Sequence, residues 1–318
     1  MKKLIACIVI AISCHAIAQK RIVVAQDGSG TYKTVQEALN AVPLNNTSPV
    51  LIYIKNGIYK EKLKLDSTKN FVTIQGESNT GTILTYDDHP GKVSPTGGTF
   101  TSRSSYSFLV LGNDFKAENI TIQNDAGFNA GQSIAIECHS DKAIFNNCRL
   151  VGNQDIVFLN SESSRQYYYN CYIEGTTDFI FGAAAAWFEK CHIHSKKNSH
   201  ITASSTPQDH DFGFVFNNCT LTADTNLHMV SLGRPWRPYS KVVYMHTNMG
   251  PQIKPEGWSD WNNEHRSATA RYYEFENTGP GANTAKRVDW SHQLTAAEAK
   301  LITVKAVLRG WDPSGTVK

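Results

Sequence analysis

The chain has 318 residues, of which 41% are hydrophobic and 19% charged, and it carries 31 basic and 28 acidic side chains. That length allows one large domain or two small ones, and it excludes a small domain stabilised mainly by disulfides. The nearly balanced charge argues against a protein that binds nucleic acid or a membrane surface electrostatically.

A signal peptide is predicted at residues 1–18. Two lysines precede a short apolar run, and Ala16-Ile17-Ala18 has the A-x-A form of a cleavage site. The run is shorter than the roughly 20 apolar residues of a membrane-spanning helix, and lipid attachment at Cys14 is a weaker alternative. The mature chain, 19–318, is therefore expected to lack a membrane span and to be secreted, into the periplasm or the extracellular space of a bacterium.

A short helix is predicted near each end of the mature chain. Thr34 and Glu37 form a capping box, and apolar residues follow from Val35 at helical spacing. This first helix is expected to cover one end of the strand repeat that follows it in the chain. Thr295 and Glu298 form a second capping box, which predicts a helix near the C-terminus.

The middle of the chain repeats a short strand pattern. A motif of polar residue, cysteine, variable residue and aliphatic residue recurs at steps of 23, 20 and 28 residues, at Cys148, Cys171, Cys191 and Cys219. Related segments without cysteine lie at 71–74 and 119–122. This spacing predicts an all-β fold, a single-domain parallel β-helix or solenoid whose neighbouring coils lie about 4.8 Å apart. The stretch 87–107, rich in Gly, Ser, Thr and Pro, predicts a long loop over one face.

The repeated cysteines are predicted to form a ladder of small apolar side chains inside the coils. Together with Cys138 they number five in the mature chain, so at least one thiol stays free. Disulfides between adjacent coils are a second interpretation. A zinc site is disfavoured, because Cys191-His192-Ile193-His194 has no second ligand cluster to complete it.

The same repeat should bring polar side chains together. Asp155 and Asp178 each follow a repeat cysteine by seven residues, and Gln132 precedes Gln154 by 22. Equivalent places on adjacent coils would bring the carboxylates about 4.8 Å apart. One carboxylate would then have a raised pKa and serve as an acid while the other attacks, and the two amides would suit an oxyanion hole. The pattern favours acyl transfer at an ester, and a set of exposed turn residues is the alternative.

Seven sequence blocks occur between about residue 24 and the C-terminus in an order typical of one family. They are GIYKE at 57–61, QNDAG at 123–127, GNQD at 152–155, GTTDFIFG at 175–182, LGRPW at 232–236, GWSDW at 257–261 and NTGPGA at 277–282. In content and order they resemble the pectin methylesterases. The resemblance implies a right-handed parallel β-helix and a pectinesterase that needs no metal and no organic cofactor.

The resemblance also implies the role of each site residue. The catalytic set it implies is the nucleophile Asp178, the general acid and later base Asp155, the oxyanion donors Gln132 and Gln154, and Arg234, which pairs with the nucleophile. The residues that fall where the family lines its sugar groove are the stacking Trp236, together with Thr99, Phe158, Phe181 and Trp258. The implied substrate is methyl-esterified pectin (homogalacturonan), which a monomer would convert to methanol and pectate.

The chain departs from the family pattern in places that bear on sugar binding. Thr202-Ala203-Ser204-Ser205 stands where a Thr-Ala-Gln-Gly-Arg run is common, and the segment after Gln132 is a loosened version of the usual one. Three other functions stay open on sequence alone. They are a polygalacturonase or pectate lyase on the same kind of solenoid, a catalytically silent β-helix that binds polysaccharide, and a relative that hydrolyses another ester.

Overall fold

The computed structural model describes residues 20–262 and 264–317, so the predicted signal peptide lies outside the described residues. In chain order the strands are β1 (Lys20–Val24), β2 (Val50–Ile54), β3 (Gly57–Lys60), β4 (Leu63–Leu65), β5 (Val72–Gly76), β6 (Thr82–Tyr86), β7 (Phe108–Val110), β8 (Lys116–Glu118), β9 (Thr121–Asn124), β10 (Ile136–Cys138), β11 (Ala143–Asn146), β12 (Arg149–Val151), β13 (Val157–Leu159), β14 (Arg165–Tyr169), β15 (Tyr172–Gly175), β16 (Ile180–Gly182), β17 (Ala185–Glu189), β18 (His192–Ser195), β19 (His200–Ser204), β20 (Phe214–Asn217), β21 (Thr220–Ala223), β22 (Ser231–Pro235), β23 (Lys241–Met245), β24 (Asn248–Met249), β25 (Arg271–Phe275) and β26 (Ser291–Gln293). The helices are α1 (Val35–Asn40), α2 (Ala296–Ala299) and α3 (Val304–Val307), with short 3₁₀ turns at Ser102–Ser104, Arg266–Ala268, Pro280–Ala282 and Ser314–Thr316.

The strands form three parallel sheets, and each coil of the chain adds one strand to each sheet in turn. The first sheet has eleven strands in the order β1-β2-β5-β8-β11-β14-β17-β20-β23-β25-β26. The second has seven, β22-β19-β16-β13-β10-β7-β4, and the third has eight, β24-β21-β18-β15-β12-β9-β6-β3. Strands thus pair with the coils before and after them, which is the arrangement of a parallel β-helix. The predicted fold is confirmed.

Stacks of identical or similar side chains fill the interior of the coils. Cys148, Cys171, Cys191 and Cys219 lie just before β12, β15, β18 and β21, whose register places them in one row, and each is 1% exposed. The Cys171 thiol donates to the carbonyl of Phe145 one coil back, 3.3 Å away. All five cysteines of the described ranges are free thiols. The inward ladder is confirmed, and the disulfide interpretation is wrong for this part of the chain.

An aromatic row runs beside the thiols and fixes the spacing of the coils. Phe145, Tyr168, Phe188, Phe216 and Tyr244 stack on one another with ring centroids 4.5 or 4.6 Å apart. Near-parallel rings at this distance match the separation of neighbouring strands, so the rings and the backbone hydrogen bonds share one repeat. The result is a rigid scaffold from which the outer faces and turns present their side chains.

The two strand-like segments without cysteine, 71–74 and 119–122, both lead into strands, but these strands lie in different sheets. β5 belongs to the eleven-stranded sheet and β9 to the eight-stranded sheet that follows the cysteines. The true partner of β9 on the preceding coil is β6, in which Ile83 pairs with Thr121. A short aliphatic pattern fits either sheet equally well, because both bury alternate side chains against the same core.

The predicted capping boxes are present at both helices. Thr34 and Glu37 cap α1, which packs on β1, β2 and β4 and covers the N-terminal end of the coils. Thr295 and Glu298 cap α2. The C-terminal helices lie elsewhere: buried Ala299 and Val307 pack against Trp187 on the outside of the eleven-stranded sheet. The described helices are all too short and too polar to cross a membrane.

Candidate active site

Asp155 and Asp178 occupy equivalent turns on adjacent coils, just before β13 and β16. Val157 pairs with Ile180 in these strands, so each aspartate lies two residues ahead of the same rung. Both have left-handed backbone conformations, with φ of 60° and 50°, which aspartate tolerates better than most residues. The Asp155 backbone N–H donates to the carbonyl of Thr177 at 3.1 Å, and this hydrogen bond joins the two turns that carry Asp155 and Asp178. The seven-residue step from the cysteines therefore places the carboxylates side by side.

Arg234 on β22 forms a two-pronged ion pair with Asp178. Its Nε donates to Oδ1 at 3.1 Å and its Nη2 to Oδ2 at 2.6 Å, and Asp178 is only 5% exposed. Ala203 separates the two coils, pairing with Phe181 on one side and with Arg234 on the other. Its small side chain leaves the guanidinium room to reach across. The guanidinium also lies over the ring of Trp261, 3.9 Å from the centroid.

Burial and neighbouring charges act differently on the pKa values of Asp155 and Asp178. Burial raises the pKa of Asp155 well above its ordinary value, and the neighbouring charge of Asp178 raises it further. Burial also raises the pKa of Asp178, but the Arg234 guanidinium opposes that rise. The next coil places His200 at the equivalent position, where burial lowers its pKa to about 3. That imidazole is neutral near pH 7, so the positive charge beside Asp178 comes from Arg234.

Gln132 and Gln154 form a parallel bridge on adjacent coils, at the predicted step of 22 residues. The strands beyond them pair at a step of 21, since Ile136 lies opposite Val157. The backbone absorbs the extra residue in a β-bulge, in which the N–H groups of Ala135 and Ile136 both donate to the carbonyl of Ile156. The bulge lets the two amides share a rung while the following strands keep their pairing.

These groups face one cavity of about 270 Å³. Its lining is Ser102, Arg103, Gln132, Ile134, Gln154, Asp155, Phe158, Asp178, Phe181, Ala203, Arg234, Trp236 and Trp261. Phe158 and Phe181 stack with centroids 4.4 Å apart, and Trp236 meets them edge-on at 6.2 and 5.8 Å. A flat apolar wall therefore stands beside two carboxyls and two amides. That combination can hold a sugar ring and carry out acyl transfer at an ester on it.

Two of the predicted groove residues lie elsewhere. Trp258 is fully buried between Tyr244 and Tyr272, and its indole N–H donates to Glu274. Its predicted place in the groove is wrong, because the interior of the last coils encloses the whole ring. Thr99 is exposed and outside the cavity lining.

Sequence reasoning gave no site role to five residues of the cavity wall: Ser102, Arg103, Ile134, Ala203 and Trp261. Trp261 lies three positions after Trp258 in the same block and lines the cavity, while Ser102 and Arg103 come from the long loop 87–107. The predicted loop pointed to the right segment, but nothing in its composition singled out these two side chains. Within the described ranges, no group of three or more His, Cys, Asp and Glu side chains is placed to hold a metal ion.

Comparison with known proteins gives one consistent result. A family model described as Pectinesterase matches residues 21–311. Pectinesterase 31 of Arabidopsis thaliana is 40% identical over 282 residues, which are 87% of this chain and 88% of the relative. The structure of pectin methylesterase from carrot matches with a TM-score of 0.84 at 34% identity, over 92% of this chain and 94% of that one. A pectin methylesterase in complex with a hexasaccharide matches with a TM-score of 0.80 at 26% identity, over 92% and 98% of the two chains.

Proposed function

The chain belongs to the pectinesterase family of carboxylic ester hydrolases, and we propose that its demethylation of pectin is carried out by Asp178 and Asp155. The observation that supports these roles is the unequal treatment of the two neighbouring carboxyls. Arg234 holds Asp178 as a carboxylate through two hydrogen bonds, whereas burial and the adjacent charge keep the proton on Asp155. A nucleophile and an acid are thereby available at one pH.

In the first step, the Asp178 carboxylate attacks the carbonyl carbon of a galacturonate methyl ester. The side-chain amides of Gln132 and Gln154 donate hydrogen bonds to the oxyanion that forms. Asp155 gives its proton to the leaving methoxide oxygen, so methanol departs and an anhydride links Asp178 to the sugar acid. The ion pair with Arg234 orients the attacking oxygen and keeps Asp178 ionised before the bond forms.

In the second step, water hydrolyses the anhydride. Asp155, now ionised, takes a proton from the water, whose oxygen attacks the anhydride carbonyl of the sugar. The bond to Asp178 breaks, which restores its carboxylate and releases a galacturonate unit with a free carboxylate. Asp155 is protonated again, so the site returns to its starting state. No step requires a metal or an organic cofactor.

The aromatic wall fits the polymer part of the substrate. Phe158, Phe181 and Trp236 together form an apolar surface against which the C–H groups of a sugar ring can pack. Two amides beside two carboxyls favour an ester over a glycosidic bond as the target, because glycoside hydrolysis needs no oxyanion donors. We therefore take methyl-esterified homogalacturonan as the substrate. We also propose a secreted monomer, periplasmic or extracellular in a bacterium, which N-terminal sequencing of the exported protein and its size in solution would test.

The test is methanol release from highly methylated pectin by the purified mature protein, with EDTA present and Asp178→Asn as the paired variant. We expect methanol from the wild type alone, and no release of reducing ends or unsaturated products. Methanol from the folded Asp178→Asn variant at the wild-type rate would overturn the assigned nucleophile. No methanol from either protein would overturn the proposed activity.

A further inference from the structure

Lys62 lies in the connection between β3 and β4, and its ammonium group reaches the base of the long loop 87–107. It forms a salt bridge with Asp88, whose side chain is 1% exposed, and it donates to the carbonyl of Ser104 at 2.6 Å. Asp88 and Ser104 stand near the two ends of the loop. One ammonium group from an early coil therefore holds both ends.

Three aromatic rings surround the same ammonium group. The Lys62 Nζ lies 4.3 Å from the ring centroid of Phe100, 4.6 Å from that of Tyr106 and 5.9 Å from that of Tyr86. Ring faces attract a cation at these distances, and more strongly where water is partly excluded. The Lys62 side chain is only 26% exposed, so these rings add to the hydrogen bonds in fixing its position.

The segment that Lys62 holds forms part of the cavity wall. The 3₁₀ turn Ser102–Ser104 lines the cavity with its first two side chains, and its last carbonyl accepts the hydrogen bond from Lys62. Tyr106 packs against the apolar cluster that contains Phe158 and Phe181. Lys62 therefore contacts the wall at two points from behind, while the cavity lining does not include it.

Asp88 has a second cationic partner. The Lys92 ammonium lies 3.1 Å from Oδ1 of Asp88, whereas Lys62 pairs with Oδ2. Replacing Lys62 therefore does not leave a buried carboxylate without a partner, which is the change that most strongly destabilises a folded protein. A variant at Lys62 should loosen the cavity wall and still fold.

We propose that Lys62 is a positioning residue for substrate binding, because its ammonium group holds the turn Ser102–Ser104 and the ring of Tyr106 in the arrangement that receives the pectin chain. This inference rests on the proposed function, since it takes the cavity as the place where the substrate binds. The hydrogen bonds of Lys62 end on Asp88 and Ser104, which are outside the proposed catalytic set.

Loss of the ammonium group should affect binding more than chemistry. Without it, the wall has the binding arrangement for only a fraction of the time, and the apparent affinity falls by that fraction. Substrate that does bind still meets the same catalytic groups. A raised KM with a nearly unchanged kcat is therefore the expected signature.

The test uses Lys62→Met, which keeps an unbranched apolar stem without the charge, and Lys62→Arg, whose guanidinium can pair with Asp88 and stack on the aromatic rings. The matched control is Lys69→Met. Lys69 is 7% exposed and donates to the carbonyls of Leu39 and Asn40 at 2.8 and 2.9 Å, at the end of α1 and outside the cavity lining.

Methanol release from highly methylated pectin gives kcat and KM for each protein. We expect Lys62→Met to raise KM about tenfold with kcat within about threefold of the wild type, and Lys62→Arg to recover most of the lost affinity. Lys69→Met should lower Tm and leave KM unchanged. An unchanged KM in Lys62→Met would overturn the inference, and so would an equal rise of KM in Lys69→Met.

Hydrogen exchange keeps the test independent of turnover. The backbone amides of Ser104, Ser105 and Ser107 are hydrogen-bonded, so their exchange reports how often this segment opens. We expect faster exchange at these amides in Lys62→Met and wild-type exchange in Lys69→Met. If the wild type releases no methanol, the proposed function fails; faster exchange confined to Lys62→Met would then still support the positioning role, and unchanged or equally fast exchange in the two variants would overturn it.

Discussion

The cysteine ladder and the aspartate pair come from the same coils, seven residues apart, and show what stacking does to two kinds of group. Burial raises the pKa of the Cys148 and Cys191 thiols, and the four enclosed cysteine side chains behave as core packing. Burial likewise raises the pKa of Asp155 and Asp178. The acidic pair differs because Arg234 reaches it from the second coil beyond Asp178 and holds one member ionised.

Repetition alone does not make a reactive site in this fold. The thiols stack on four coils, and no charged side chain of the described residues is hydrogen-bonded to them. The aspartates occupy only two coils, after which the row continues with the neutral His200. Asp155 and Asp178 are like groups in one row, and they differ chemically because Arg234 from another coil forms an ion pair with Asp178 and not with Asp155.

The largest effect on activity is expected when the Arg234 guanidinium is removed. Arg234→Gln leaves a buried carboxylate without its charge partner, so we expect kcat/KM to fall on the order of 10³-fold. The guanidinium lowers the pKa of Asp178, so its removal raises that pKa. Activity is lost as the pH falls through the pKa of the nucleophile; the acid limb of the kcat/KM profile should therefore move to higher pH.

Arg266→Gln is the control for this change. Arg266 lies 5.2 Å from the centroid of the Trp261 ring, which Arg234 also covers, and it donates to the carbonyl of Trp236. Within the described ranges, the Asp178 carboxylate accepts side-chain hydrogen bonds from Arg234 and not from Arg266. Loss of Arg266 should weaken activity without moving the acid limb. An unmoved limb in Arg234→Gln would contradict the assigned ion pair.

The next largest effect is expected at the side-chain amides of the cavity. Gln154→Ala removes one proposed oxyanion donor, and we expect kcat to fall on the order of 10²-fold or more. Gln293→Ala, an exposed glutamine on β26, should leave kcat unchanged. Steady-state methanol release measures both variants. A loss of less than twofold in Gln154→Ala would remove it from the oxyanion hole.

Most of this arrangement could be predicted because it follows the repeat. A seven-residue offset from Cys148 and Cys171 carries over directly to Asp155 and Asp178, since parallel coils keep their register. Gln132 and Gln154 also meet at their predicted step. In a solenoid, equal spacing in sequence becomes adjacency in space, so a periodic sequence contains much of its own contact map.

What the sequence did not predict depends on single turns. Trp258 and Trp261 lie in one block, and the Asp260 carboxylate holds the turn between them, accepting from the Trp261 backbone N–H at 2.7 Å and from the Ser267 hydroxyl at 2.7 Å. The place of Arg103 likewise depends on contacts to Lys62 and Asn124 from other coils. Such contacts have no period, so no spacing rule can find them.

A smaller effect is expected from the ladder itself. Cys171→Ala removes a fully enclosed sulfur and leaves a small cavity, which should lower the free energy of unfolding by about 1 to 2 kcal/mol. Because the thiols have no part in the proposed chemistry, kcat should stay within twofold of the wild type. Chemical denaturation and methanol release test the two statements separately. A large loss of kcat in a folded Cys171→Ala variant would contradict the conclusion that the cysteines only pack the core.

The smallest effect is on stability and concerns Asp155→Asn. The folded protein raises the pKa of Asp155, so the unfolded chain gives up that proton at a lower pH than the native protein does. Ionisation then favours unfolding increasingly as the pH rises from the unfolded pKa of about 3.9 to the folded pKa, and the penalty is constant above it. Asparagine cannot ionise, so the variant should be more stable than the wild type at pH 7, by about 2 °C in Tm. The advantage should vanish near pH 3, where both states of the wild type are protonated. A variant less stable than the wild type at pH 7, or an advantage that grows as the pH falls, would show that the Asp155 carboxyl is stabilised by its surroundings rather than strained by them.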